Sequence, residues 1–98
     1  VDEASLIENL RRLEATADAL ERNALALDLS ETGDPRVFDV LVRLIKRPDL
    51  ENRRGTLVYC LENFDCSSVA DLLVNLVETG NFEVAAHAEI ILDEQALR

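Results

Sequence analysis

Apolar residues recur three or four positions apart along most of the chain. The first run is Leu6, Leu10, Leu13, Ala17, Leu20, Ala24 and Leu27; the second is Val37, Val40, Leu41, Leu44 and Ile45; a third is Val69, Leu72, Leu73, Leu76 and Val77. Shorter stretches around Leu57 and Leu61, and around Ala88 and Leu92, keep the same interval. That is the period of a helix with one buried stripe, not the alternation of a strand. The expected core contains Leu41, Leu44, Leu57, Leu61, Leu72, Leu76, Ala88 and Leu92.

The stretches between these runs carry the chemistry of helix ends. Gly33-Asp34-Pro35 offers a helix stop, a carboxylate acceptor for orphan N–H groups, and a proline at a first helical position. Pro48-Asp49 closes the next run, Asp65 with Ser67 and Ser68 opens the following one, and Gly80-Asn81 separates the last pair. Six short helices result. No Gly or Pro interrupts Glu14 to Ala19, so the first two helices also read as one long helix. Its apolar seam is that of a coiled coil, but Ala17 and Ala24 would make a thin interface, and the expectation is a helix capping the rest of a chain that is monomeric when free.

The runs repeat at an interval of 31 to 32 residues, within the range of helical repeat proteins. The second helices align as Arg22, Ala24, Leu25 and Leu29, then Arg54, Thr56, Leu57 and Leu61, then Ala85, His87, Ala88 and Leu92. The first helices align Val37, Val40, Leu41, Leu44 and Ile45 with Val69, Leu72, Leu73, Leu76 and Val77. The expected architecture is therefore all-α: a single domain of three units, about 3–33, 34–64 and 65–96.

Two resemblances sharpen this. Gly33-Asp34-Pro35-Arg36-Val37, followed by Val40-Leu41-Val42-Arg43-Leu44-Ile45 and Pro48-Asp49, resembles the loop and first helix of HEAT-like repeats, including those of phycobilisome lyases. It covers the chain from about Leu20 onward and implies a short right-handed α-solenoid of helical hairpins. Arg54-Gly55-Thr56-Leu57-Val58-Tyr59 and Thr79-Gly80-Asn81-Phe82-Glu83-Val84, in a small acidic domain, are similar to the HEAT-like immunity proteins encoded beside bacterial polymorphic toxins. That likeness implies a cytoplasmic inhibitor of a toxin domain and brings no catalytic motif.

Charge gives the repeat a direction. The formal net charge is −10, yet cations are concentrated in the middle, with Arg36, Arg43, Lys46, Arg47, Arg53 and Arg54 between positions 36 and 54. From Gly55 to Leu97 there is no Lys or Arg, against Glu62, Asp65, Asp71, Glu78, Glu83, Glu89, Asp93 and Glu94. Such a surface repels a nucleic-acid backbone and attracts a protein with a basic surface. The basic run is expected to be a solvated edge or a set of ion-pair partners for neighbouring acids. No apolar run reaches membrane-spanning length, and the N-terminal residues have neither the basic nor the apolar part of a secretory signal.

Second helices of helical repeats usually line the concave face. Their equivalent positions form lanes here: Leu27, Tyr59 and Ile90; Ser30, Glu62 and Asp93; and Ala26, Val58 and Glu89. The expected partner-binding residues are Leu27, Tyr59, Glu62, Glu89, Ile90 and Asp93, an apolar stripe beside carboxylates with Tyr59 as anchor. The same three apolar side chains would alternatively complete the core between helices. Catalysis, a cofactor and a metal are not expected. His87, Cys60 and Cys66 lack the paired spacing of a zinc site, Cys60 reads as core, and no nucleophile–base motif or phosphate loop occurs. Cys66 precedes a helix N-terminus, a place that lowers a thiol pKa. The functions left open are an immunity-type inhibitor, a scaffold or adaptor built from such repeats, and a lyase-like or chaperone-like helper.

Overall fold

The computed structural model describes residues 2–98. Six α-helices account for most of them: α1 (Glu3–Ala15), α2 (Ala19–Ser30), α3 (Pro35–Ile45), α4 (Gly55–Cys60), α5 (Ala70–Thr79) and α6 (Phe82–Glu94). Short 3₁₀ turns at Pro48–Leu50, Leu61–Asn63 and Ser67–Val69 join them, and no strand occurs among the described residues. The Leu61–Asn63 turn follows α4 directly and extends it.

The helix ends use local side-chain acceptors. Asp2, Asp34 and Asn81 each accept a backbone N–H of the helix they precede, from Ser5 at 2.7 Å, Arg36 at 2.9 Å and Val84 at 3.0 Å. Gly33 has φ 69°, the left-handed conformation in which a Cβ is strained. α1 and α2 are separate helices, and the break comes from capping. Asp18 Oδ1 accepts the N–H of Leu20 at 2.9 Å, and Thr16 Oγ1 accepts that of Asp18 at 3.1 Å. The seam of a single long helix is thereby lost: Leu20 is 81% exposed, and Ala17 and Ala24 also face outward.

α1 packs on α2, α3 on α4 and α5 on α6, and α4 also packs against both α2 and α6. α1 also packs on α3, whereas α5 packs chiefly on α6. The result is a slab of 37 × 25 × 16 Å, about two helices thick. Its interior is aliphatic: Leu13, Leu41, Leu44, Leu57, Leu61, Leu73, Leu76, Ala88 and Leu92 are all fully buried. Leu72 is only partly buried, because Leu73, its neighbour about 100° around α5, faces the core instead.

The arginine shared by the first two units has a structural task. Arg22 is 2% exposed, and its Nη2 donates to the Thr16 carbonyl at 2.9 Å, just past the end of α1. Its counterpart Arg54 donates through Nη1 to the Ile45 carbonyl at 3.2 Å, at the end of α3. Each satisfies a carbonyl that a helix C-terminus leaves without a partner. The Glu83 side chain of α6 lies against Gly55, in the space a Cβ there would occupy.

Candidate protein-docking face

The packing of α4 against α2 and α6 decides where each lane points. Ala26 and Val58 are fully buried and Ser30 is 2% exposed, so these positions lie between helices and not on a free surface. Ser30 Oγ donates to the Leu27 carbonyl at 3.0 Å and accepts from Asn63 Nδ2 at 3.3 Å, fixing the end of α2 against the end of the α4 segment. The Leu27, Tyr59, Ile90 lane behaves differently: the three residues are 42%, 45% and 43% exposed, one on each second helix. The alternative that they complete the core is thereby limited to their inner halves.

Tyr59 is held by its neighbour on α6. Its ring centroid lies 5.3 Å from that of His87, with the planes at 58°, a tilted contact within the favourable range for aromatic pairs. His87 sits one turn before Ile90, where Ala24 and Thr56 are its counterparts, so small or half-buried side chains border the apolar lane on that side. One turn further along each helix, on the other side, lie Glu31, Glu62, Asp93 and Glu94. Glu62 is half-buried; Glu31, Asp93 and Glu94 are exposed. Glu89 is half-buried and paired with Arg98 at 2.6 Å, which leaves it less available than its neighbours.

The acids beside the lane occupy helix C-termini, the ends where the peptide dipoles are already negative. No basic residue lies in the last turn of α2, α4 or α6. Several cations are paired elsewhere with carboxylates. Arg43 pairs with Glu14 at 2.8 Å, Arg47 with Asp49 at 2.7 Å, Arg12 with Glu21 at 2.9 Å, and Arg36 with both Glu3 and Asp34 at 2.7 and 2.8 Å. Of the basic run, Arg36, Arg43 and Arg47 are in ion pairs, whereas Arg54 donates to backbone carbonyls and Lys46 and Arg53 are exposed. The Arg36 guanidinium and the Arg36 backbone N–H hold Asp34 at a pKa of about 2. Glu62, Asp93 and Glu94 have no ion-pair partner among the described residues.

Neither thiol is activated. Burial raises the pKa of Cys60, and it pushes that of Cys66 up to about 11. Cys66 has no exposed surface; its Sγ donates to the Leu61 carbonyl at 3.2 Å and its N–H donates to Gln95 Oε1 at 2.8 Å. The expected lowering by a helix N-terminus fails because the residue opens a single 3₁₀ turn and is sealed from water by the end of α6. Among the described residues no three His, Cys, Asp or Glu side chains cluster as metal ligands. A groove of about 350 Å³ between α1 and α3, bordered by Arg11, Arg36 and Arg43, lies away from the Tyr59 lane. No described helix is long and apolar enough to cross a membrane. Compared with protein-family models, curated proteins and solved structures, the chain has no match.

Proposed function

We propose that this domain is a non-enzymatic protein-binding module of HEAT-like helical hairpins, and that its specific role is that of a cytoplasmic immunity-type inhibitor. It captures a toxin domain with a basic surface, such as a cationic nuclease, and covers the surface with which the toxin works. The observation that carries this reading is the exposed Leu27, Tyr59, Ile90 lane, which crosses three adjacent helices beside Glu62, Asp93 and Glu94, carboxylates without an ion-pair partner among the described residues. A half-exposed apolar stripe of this kind is a favourable interface centre, and unpaired charge at its margin steers an oppositely charged protein.

The immunity role is tested by co-expression. The product of the gene immediately upstream should arrest growth alone and be tolerated in the presence of this domain, and the two should co-purify. Normal growth with the upstream product alone, or toxicity unaffected by the domain, would contradict it.

A further inference from the structure

His87 is the single histidine of the chain, and it sits against the single tyrosine, with the two ring centroids 5.3 Å apart. Histidine is the side chain whose charge ordinarily changes between about pH 5 and pH 8. The Nδ1 of His87 is buried without a hydrogen-bond partner among the described residues. A neutral ring tolerates this with its proton on Nε2, because Nδ1 then carries only a lone pair. In the imidazolium both nitrogens are donors. An added proton therefore leaves a charged N–H buried with no acceptor, a costlier defect than an idle lone pair.

An acceptor lies one turn away. Glu83 precedes His87 by four residues on α6, the spacing and order in which an acid supports a following cation on a helix. Its side chain is exposed, has no ion pair among the described residues, and rests against Gly55 at the start of α4. The other charged and titratable groups on α6 and on the elements packed against it, α4 and α5, offer less. α4 carries Tyr59 itself and the buried Cys60, and Arg54 just before it donates to the Glu51 and Ile45 carbonyls. On α5, Asp71 and Glu78 are exposed; on α6, Glu89 is already paired with Arg98, and Asp93 and Glu94 lie about two turns further along. We propose that His87 and Glu83 form a proton-operated switch on Tyr59: the neutral imidazole packs on the Tyr59 ring, and the protonated one turns to the Glu83 carboxylate and releases that ring. The proton comes from solvent and no other group changes its bonding. The centre of the apolar lane thus responds to pH. Its effect on docking rests on the reading of the face given above, whereas the switch itself belongs to the free domain and is tested there.

The chain has one tyrosine and no tryptophan, so its intrinsic emission reports the Tyr59 ring alone. Acrylamide quenching of that emission, and NMR of the His87 ring protons, are followed from about pH 8 to pH 5, a range in which solvated carboxylates stay ionised. Quenching should rise about twofold toward the acid end, in step with the His87 titration. Glu83→Gln, at an exposed position, should remove most of the rise and leave quenching at the alkaline end unchanged; His87→Gln should remove all of it. A His87 ring that titrates while Tyr59 quenching stays constant would overturn the switch, and so would a His87 that keeps one charge state across the range. A rise undiminished in Glu83→Gln would overturn the role given to that carboxylate. Circular dichroism at both ends of the range verifies the fold, and the exposed Glu83→Gln variant decides the matter even if His87→Gln does not fold.

Discussion

The α1–α3 side of the molecule and the α4–α6 side treat charge in opposite ways. On the first, Arg12, Arg36, Arg43 and Arg47 each reach a carboxylate within 3 Å, and three of these pairs tie helices together: Arg12 with Glu21 between α1 and α2, and Arg36 with Glu3 and Arg43 with Glu14 between α1 and α3. On the second, Glu89 is paired with Arg98, but Glu62, Asp93 and Glu94 have no ion-pair partner among the described residues and stand at helix ends where the backbone dipole disfavours them. Charge on the α1–α3 side is used internally. On the α4–α6 side the charge of Glu62, Asp93 and Glu94 is not so used, next to the lane in which α2, α4 and α6 each keep a large apolar side chain exposed. A chain under selection for folding alone would gain by reversing those charges.

The contrast concerns surfaces and not cores, which sets the largest expected effect. Leu44 on α3 and Leu92 on α6 are both fully buried. Truncating either to Ala should lower unfolding free energy by about 2 to 5 kcal/mol, with one cooperative transition in urea. Two separate transitions would show that the sides fold independently, and the shared core would be wrong.

The surface difference should appear as opposite signs of smaller effects. Asp93→Lys should stabilise the free domain by about 0.3 to 1 kcal/mol, because it places a cation at a helix C-terminus and reduces the excess of negative charge. Arg43→Ala should destabilise it by no more than about 0.5 kcal/mol, since both partners of its ion pair are about half exposed and solvent screens them. Thermal or urea unfolding of the two variants measures both. A destabilised Asp93→Lys variant would mean that the acidic side is paired in some way essential to the fold.

The smallest effect depends on pH. Asp34 has its pKa depressed to about 2 by Arg36, against an ordinary value of 3.8. A depressed folded-state pKa adds stability above the unfolded value and loses it as pH falls through the folded one. Asp34→Asn keeps the helix cap but removes the charge. The variant should therefore be less stable than the parent above about pH 4, with the difference disappearing between about pH 4 and pH 2. A difference unchanged across that window would assign the effect to capping geometry alone.

Much of the fold was legible because it depends on local signals. Leu29, Leu61 and Leu92 share a repeat position and are all buried, and Asp34, Pro35 and Asn81 mark helix starts through backbone chemistry that any neighbour would leave intact. The break between α1 and α2 was harder to see, since it rests on the Asp18 carboxylate and the Thr16 hydroxyl, with no Gly or Pro. The Asp18 side chain, a strong N-cap type, was the available signal. The alignment of Val37, Leu41 and Leu44 with Val69, Leu73 and Leu76 was also readable, and all but Val69, which is partly buried, lie in the core.

Other misreadings needed tertiary information. Ala26 and Val58 occupy a lane that looks like surface on a single helix, but the adjoining second helices cover it. Cys66 meets Gln95, 29 residues away, a contact that no local pattern announces. For the candidate site, position within the repeat identified Leu27, Tyr59 and Ile90, while the pairing of Glu89 with Arg98 appears only once the chain turns back at Ala96, whose φ is 53°.

The most direct test of the docking face separates folding from binding at Tyr59. Unfolding free energy of the isolated domain and affinity for a co-purifying partner protein should be measured for the parent, Tyr59→Ala and Val74→Ala, the last a similarly exposed apolar position on α5. Tyr59→Ala should leave the domain folded and cost at least about 2 kcal/mol of binding, whereas Val74→Ala should leave affinity unchanged. Loss of folding stability in Tyr59→Ala with undiminished affinity in its folded fraction would contradict the account and return the Tyr59 ring to the core.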